Sequence, residues 1–285
     1  MVSRLFAYAA ALGAAIFPLT TTAGSWVETL KGRALDVWGV PVHQQEFNTN
    51  SPLSLEGMTL WAKQRADYGL SKFSKSSDTA AYVQEGGYLK LRAYKDNLGV
   101  IRSGHVQSVT INQSGSGYPI NPGINGYTCT GCYWEARVRF PNDAYGTWGG
   151  FWLLSPDNPA KRGHLEVDVI EYYGFGDRRG HHHAWHRWET AANGGHKANS
   201  NYIGIDALGD RNWHTYGADL RGKATVDGKP AIVLFFDGKE ISRYPVDQDF
   251  FTTPFYYNFT LAVNPNDKKW TLPQAMLIDW VRVYK

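Results

Sequence analysis

Cysteine is nearly missing from this chain of 285 residues, and the two that occur, Cys129 and Cys132, cannot frame a disulfide scaffold. Beyond residue 23 no apolar run approaches the roughly 20 residues that a membrane-crossing helix needs, which excludes a helical span there. An excess of one charge is lacking too. A formal net charge of +3 is too small for the basic footprint of a general nucleic-acid binder, so no nucleic-acid partner is expected. Helical periodicity is scarce, and heptads, internal repeats and Ser/Pro/Gly linkers are absent. A chain of this length can nonetheless bury a full core without staples.

What is present begins with an address. Met1 to Arg4 carries one positive charge, an apolar run from Leu5 to Leu19 follows, and small residues lead to Thr21-Thr22-Ala23. That order reads as a secretory signal peptide over residues 1–23, followed by a single domain over residues 24–285 that begins at Gly24. The mature protein is then expected to be extracellular, free of the membrane and monomeric. Export makes a local Cys129–Cys132 bridge the expectation. The redox reading of Cys-x-x-Cys fits less well, because Cys132 runs into strand-like Tyr133-Trp134-Glu135-Ala136-Arg137-Val138 instead of opening a helix. Aromatic residues are plentiful, with 11 Trp and 17 Tyr, and two uses stay open: stacking on the flat faces of sugar rings, or packing a β core.

Short β-branched and aromatic runs separated by Gly, Asn, Asp and Pro recur at Tyr88 to Tyr94, Val106 to Ile111, Tyr133 to Phe140, Gly150 to Leu154, His164 to Tyr172, Ala231 to Phe236, Pro254 to Val263 and Met276 to Tyr284. This spacing predicts an all-β antiparallel sandwich or barrel. Phe235-Phe236-Asp237-Gly238-Lys239-Glu240-Ile241 predicts a hairpin with an Asp-Gly turn. Two polar stretches, Gly115 to Thr128 and Thr190 to Asn201, are predicted as long loops, of the kind that shape a cleft.

The richest segment is His164-Leu165-Glu166-Val167-Asp168-Val169-Ile170-Glu171-Tyr172-Tyr173-Gly174, with three acids in an otherwise apolar strand. Residues i and i+2 of a strand share a face, so Glu166 and Asp168 point together while Leu165, Val167 and Val169 point the other way. Glu171 falls out of phase by one residue. A β-bulge near Val169-Ile170 restores the phase and brings all three carboxylates onto one surface. Crowded carboxylates raise one another's pKa, which costs stability but lets one stay protonated as a general acid beside an ionised partner. A pair about 5–5.5 Å apart is the arrangement of a retaining glycosidase. A solvated acidic face or a cation site are the competing readings, and calcium sites favour loops over an alternating strand.

Beyond these residues, the sequence resembles glycoside hydrolase family 16, the group of laminarinases, agarases and carrageenases. The Glu-x-Asp-x-x-Glu form at Glu166, Asp168 and Glu171 carries the resemblance, with Trp134-Glu135-Ala136-Arg137-Val138, Gly146 to Leu154, Trp213-His214-Thr215-Tyr216, Phe235 to Gly238 and Leu272 to Tyr284 in matching order. The resemblance implies a jelly-roll β-sandwich of two antiparallel sheets with a concave substrate cleft. It implies a retaining endo-β-glycosidase acting on internal β-1,3 or β-1,4 linkages, with Glu166 as nucleophile, Asp168 as its helper and Glu171 as acid/base. No cofactor is required for that chemistry. A structural calcium on the convex side would fall to Glu46, the Gly86 backbone and Asp279. The lead-in Ala160-Lys161-Arg162-Gly163-His164 departs from the laminarinase pattern, so the reaction type is implied but the particular glucan is not.

After the acidic strand comes Asp177-Arg178-Arg179-Gly180-His181-His182-His183-Ala184-Trp185-His186-Arg187-Trp188. Adjacent strand residues face opposite ways, so the three consecutive histidines cannot form one zinc site. By the resemblance, His186 and Trp188 line the cleft on the face of His182, with core packing left open for either Trp185 or Trp188, and Trp148 and Trp152 of the preceding strand are further candidates to contact substrate. Arg187, with Arg178, Arg179, Lys161 and Arg162, makes the surroundings basic. Bidentate arginine recognition would suit an acidic or sulfated galactan or an exopolysaccharide, and solvated loop charge is the plainer explanation. A transglycosylase and a non-catalytic sugar-binding sandwich are the remaining alternatives.

Overall fold

In the computed structural model the described residues are 38–48, 59–60, 71–74, 80–110, 125–141, 146–156, 163–173, 180–189, 192, 194–204, 212–263 and 271–285. The chain divides into Met1–Val40 and Pro41–Lys285, and every strand belongs to the second unit. The signal-peptide expectation for residues 1–23 lies outside the described residues, as do the basic residues Lys161, Arg162, Arg178 and Arg179.

The strands, in chain order, are β1 (His43–Gln45), β2 (Thr59–Leu60), β3 (Lys72–Phe73), β4 (Tyr82–Glu85), β5 (Tyr88–Lys95), β6 (Ile101–Gln107), β7 (Val109–Thr110), β8 (Asn125–Gly126), β9 (Cys129–Thr130) and β10 (Tyr133–Arg139). They continue with β11 (Thr147–Leu154), β12 (His164–Tyr173), β13 (Gly180–Trp188), β14 (Lys197–Gly204), β15 (His214–Val226), β16 (Lys229–Phe236) and β17 (Lys239–Pro245). A one-turn helix, α1 (Asp249–Thr252), precedes β18 (Pro254–Val263) and β19 (Gln274–Tyr284). Seven of the eight predicted runs are found within a few residues of their bounds, whereas Val106 to Ile111 is divided between the end of β6 and β7, with Ile111 outside the described residues. The stretch predicted as a loop from Thr190 to Asn201 is partly strand, because β14 begins at Lys197 and pairs with β13.

Two sheets result. One runs β6-β18-β11-β12-β13-β14, all antiparallel, and carries the acidic strand near its middle. The other is built on β19, flanked by β10 on one side and by β5 and β1 on the other, and continues through β15, β16 and β17. Strand β5 bridges the two where Tyr94 pairs with Arg102. This is the expected jelly-roll sandwich.

The alternation read from the sequence fills the space between the sheets. Leu165, Val167, Val169, Ile170 and Tyr172 of β12 join Phe151, Phe259, Trp134, Ala136, Val138, Met276 and Ile278 in one buried cluster. Rings cross the interior: Trp134 meets Tyr257 edge-on at 6.2 Å, and Phe140 lies 5.2 Å from Tyr172. The Asp237-Gly238 turn forms as predicted, both residues taking positive φ (47° and 69°), as a two-residue hairpin with the native strand twist requires. Cys129 and Cys132 are joined by a disulfide with Cα atoms 6.1 Å apart.

Phe151 stacks on Phe259 at 4.9 Å beneath the acidic strand, where it pairs with Ile170. Phe151→Ala should therefore open a cavity under the site and cost about 3–5 kcal/mol of stability, measurable by urea unfolding.

Candidate active site

Register fixes what shares the outward face of the site sheet. Trp152 of β11 pairs with Asp168, but Phe151 pairs with Ile170, so one residue of β12 is unmatched between them. The β13 side agrees, since Asp168 pairs with Ala184 and Glu171 with His182. This is the predicted bulge at Val169-Ile170, and both of those side chains are buried in the core. The shift in phase returns Glu171 to the face of Glu166 and Asp168.

A bulge leaves a backbone group outside the regular ladder, and a buried one needs another partner. His183 supplies it. Its Nδ1 lies 2.7 Å from the Val169 carbonyl oxygen, and because that oxygen can only accept, Nδ1 must carry the proton. The ring sits on the core side of β13, 1% exposed, and burial lowers its pKa to about 4, so it is a neutral donor at ordinary pH.

On the open face three rows run across the strands. Glu166 pairs with Leu154 and His186, Asp168 with Trp152 and Ala184, and Glu171 with Gly150 and His182. Glu171 accepts hydrogen bonds from Trp148 Nε1 at 3.0 Å and from Tyr173 Oη at 2.8 Å. Burial raises its pKa above the ordinary glutamate value, against the lowering pull of these two donors and of His186 and His182. Glu166 has a different setting: Trp188 Nε1 donates to its Oε2 at 3.2 Å. Asp168, 4% exposed, meets His186 Nε2 at 3.1 Å, and Nδ1 of His186 is 2.9 Å from Nε2 of His196. The His196 ring stacks on Trp188 at 3.8 Å.

Three residues expected to contact substrate instead hold the acids: Trp148 and Trp188 donate to one glutamate each, and His186 meets Asp168, which lies between the glutamates in the register. Two others need correction. Trp152 lies on the site face but is covered by Val109, Leu154 and Tyr256, and its indole N–H is taken by Thr260 Oγ1 at 3.0 Å, so its ring packs and offers no open stacking surface. Arg187 points away from the acids. Its guanidinium is bound bidentately by Asp249 of α1, both bonds 2.6 Å, with Asp247 at 3.2 Å, and these carboxylates raise its pKa. Strand alternation, which puts His186 and Trp188 on one face, put Arg187 on the other.

The calcium expectation also fails the residues present. Glu46 is clasped by Arg282 through bonds of 2.8 and 3.1 Å, and Asp279 by Arg137 at 2.6 Å, so both carboxylates already serve as counterions. Gly86 is a positive-φ turn residue between β4 and β5. Donor atoms of Glu166, Asp168 and His186 do lie within 4.8 Å of one another, but the hydrogen bonds just described account for that grouping.

Sequence reasoning missed Tyr173, His183 and His196. Tyr173 was legible as the i+2 neighbour of Glu171. His183 could not be found without knowing which carbonyl the bulge frees, and His196 reaches the site only because β14 pairs with β13.

The sandwich has the fold of solved family 16 glycoside hydrolase structures. Among solved structures, the chain is similar to LamA from Z. galactanivorans in complex with laminaritriose and laminaritetraose, at 16% identity over 87% of this chain and 100% of that one, TM-score 0.64. It is similar to SCLam, a non-specific endo-β-1,3(4)-glucanase from family 16, at 20% identity over 86% and 91%, TM-score 0.63. A Bacteroides ovatus family 16 protein of a mixed-linkage glucan locus, bound to product, matches at 20% identity over 85% and 99%, TM-score 0.61. No family model matches the sequence, and no curated protein does.

Two outcomes follow from the site. His183→Ala leaves the Val169 carbonyl buried without its donor and should cost about 1–3 kcal/mol in urea unfolding. Glu171 binds its proton more tightly when folded than when unfolded, so its contribution is fully present at acid pH and is lost as pH rises through the folded pKa. Glu171→Gln, which cannot ionise, should thus melt increasingly above the parent protein as pH is raised from 4 towards 8, followed by thermal unfolding.

Proposed function

We propose that this protein is a secreted member of glycoside hydrolase family 16, an endo-acting β-glycosidase that cleaves internal β-1,3 or β-1,4 linkages with retention of configuration. The observation that carries the reading is the bulge, which sets Glu166, Asp168 and Glu171 on one face and gives the two glutamates unlike surroundings. Glu171, desolvated and raised in pKa, retains a proton for the glycosidic oxygen. Glu166, oriented by Trp188, attacks the anomeric carbon as the leaving group accepts that proton. The products of this first half are a glycosyl ester on Glu166 and an ionised Glu171. Glu171 then takes a proton from water, whose oxygen displaces the ester and regenerates both groups. Asp168, held by His186, lies beside the nucleophile and positions it.

Linkage is supported by the company the fold keeps, since two of the similar structures are described as an endo-β-1,3(4)-glucanase and a mixed-linkage glucan protein. The half-exposed ring of Trp188, with Tyr202 beside His182, offers the flat surfaces on which neighbouring sugars would rest.

Release of reducing ends from laminarin, lichenan, agarose and carrageenan is the direct test. Glu166→Ala and Glu171→Ala should each lower it by about 10²- to 10⁴-fold, and proton NMR of the first product should show the β anomer. Full activity in either variant, or an initial α anomer, overturns the mechanism. The rate should follow a bell-shaped pH curve whose alkaline limb reports Glu171 and lies above the ordinary glutamate range.

A further inference from the structure

A groove of about 610 Å³ lies on the outer face of the second sheet, away from the acidic strand. The alternation that sends Leu89, Leu91 and Ala93 of β5 into the core sends Tyr88, Lys90 and Arg92 outward to form one wall. Arg139 of β10 forms the other. Between them runs β19, whose register sets Ala275 beside Arg92 and places Leu277 between Lys90 and Arg139. Adjacent strands are about 4.8 Å apart, so the cationic walls stand about 10 Å apart over an apolar floor.

Charge in this groove is unbalanced. Three cations, Lys90, Arg92 and Arg139, face one carboxylate, Glu85, which pairs with Lys90. Among the described residues the side chains of Arg92 and Arg139 make no ion pair or hydrogen bond. Elsewhere on the same face the arginines are neutralised, Arg137 by Asp279 and Arg282 by Glu46. Trp213, 5.6 Å from the Tyr88 ring, lies against the Arg139 guanidinium at 5.7 Å.

We infer that this groove is a second glycan-binding site, one that takes an anionic sugar unit with its sulfate or carboxylate held by Arg92 and Arg139 and its C–H face on the floor at Ala275. Guanidinium groups bind such oxyanions through paired charge-assisted hydrogen bonds. A lone inorganic anion would fill little of the volume, and the apolar floor between two cationic walls suits a ring that carries its charge on one edge. The inference rests on the glycosidase reading only for the class of polymer. A chain held on one sheet raises the local concentration of its own segments at the other.

The test is binding by affinity electrophoresis and titration calorimetry with the full-length Glu171→Gln protein, which leaves the groove intact. The probes are a sulfated glycan (carrageenan), a carboxylated one (polygalacturonate) and neutral dextran. Arg92→Gln with Arg139→Gln should weaken binding of at least one anionic glycan by about tenfold and leave urea unfolding unchanged. Lys229→Ala with Lys239→Ala removes the same charge from exposed positions on β16 and β17 and should leave binding as it was. Equal weakening by both pairs, equal retention by dextran, or no binding of either anionic glycan overturns the inference. Hydrolysis of a short neutral oligosaccharide, measured with Glu171 intact, should not respond to the arginine pair. Absence of hydrolysis with binding preserved would count against the catalytic reading alone.

Discussion

One hydrogen bond, from the buried ring of His183 to the carbonyl of Val169, holds the irregularity on which the site depends. The extra residue in β12 turns both Val169 and Ile170 inward and lets Glu171 rejoin the outward face. The freed carbonyl could not be left bare beside an apolar core. A histidine meets the need only while neutral, and its own burial keeps it so. Core and site are thus coupled through one strand: its inward residues fill the sandwich and its outward ones carry the charge.

The outward residues are separated in character by their neighbours. Burial leaves Glu171 with a raised pKa in spite of its two donors, whereas Glu166 lies beside an exposed tryptophan and next to the Asp168–His186 pair. Like carboxylates on one strand are a liability for folding, tolerated where the function needs two acids with different proton affinities. The aromatic residues of the site work as hydrogen-bond donors first, Trp148 and Tyr173 to one glutamate and Trp188 to the other.

Arginines divide by the same physical rule. Arg187 beneath the site, and Arg137 and Arg282 on the outer face, are shielded and each carries its carboxylate, because an unpaired buried charge is costly. Arg187 ties β13 to α1, a tertiary tie that removes it from the face of the acids. Arg92 and Arg139 line an open groove, where water can solvate them until a ligand does.

By itself the sequence determined most of the strands, the core and the face that carries the acids. Period-two alternation is a local property, and from it follow the inward set Leu165, Val167, Val169 and the outward pair Glu166, Asp168; the out-of-phase Glu171 then demands a bulge at a nameable place. Only the tertiary structure decided which outward residues meet. Trp152 and Trp188 are both tryptophans on the site face, yet one is covered by Val109, Leu154 and Tyr256 and the other is 36% exposed, a difference set by strands distant in sequence. Arg187, Glu46 and Asp279 had plausible ligands until the fold brought them counterions from elsewhere in the chain. Hydrogen bonds and ion pairs between strands depend on register and on neighbours far along the chain, and no local pattern encodes them.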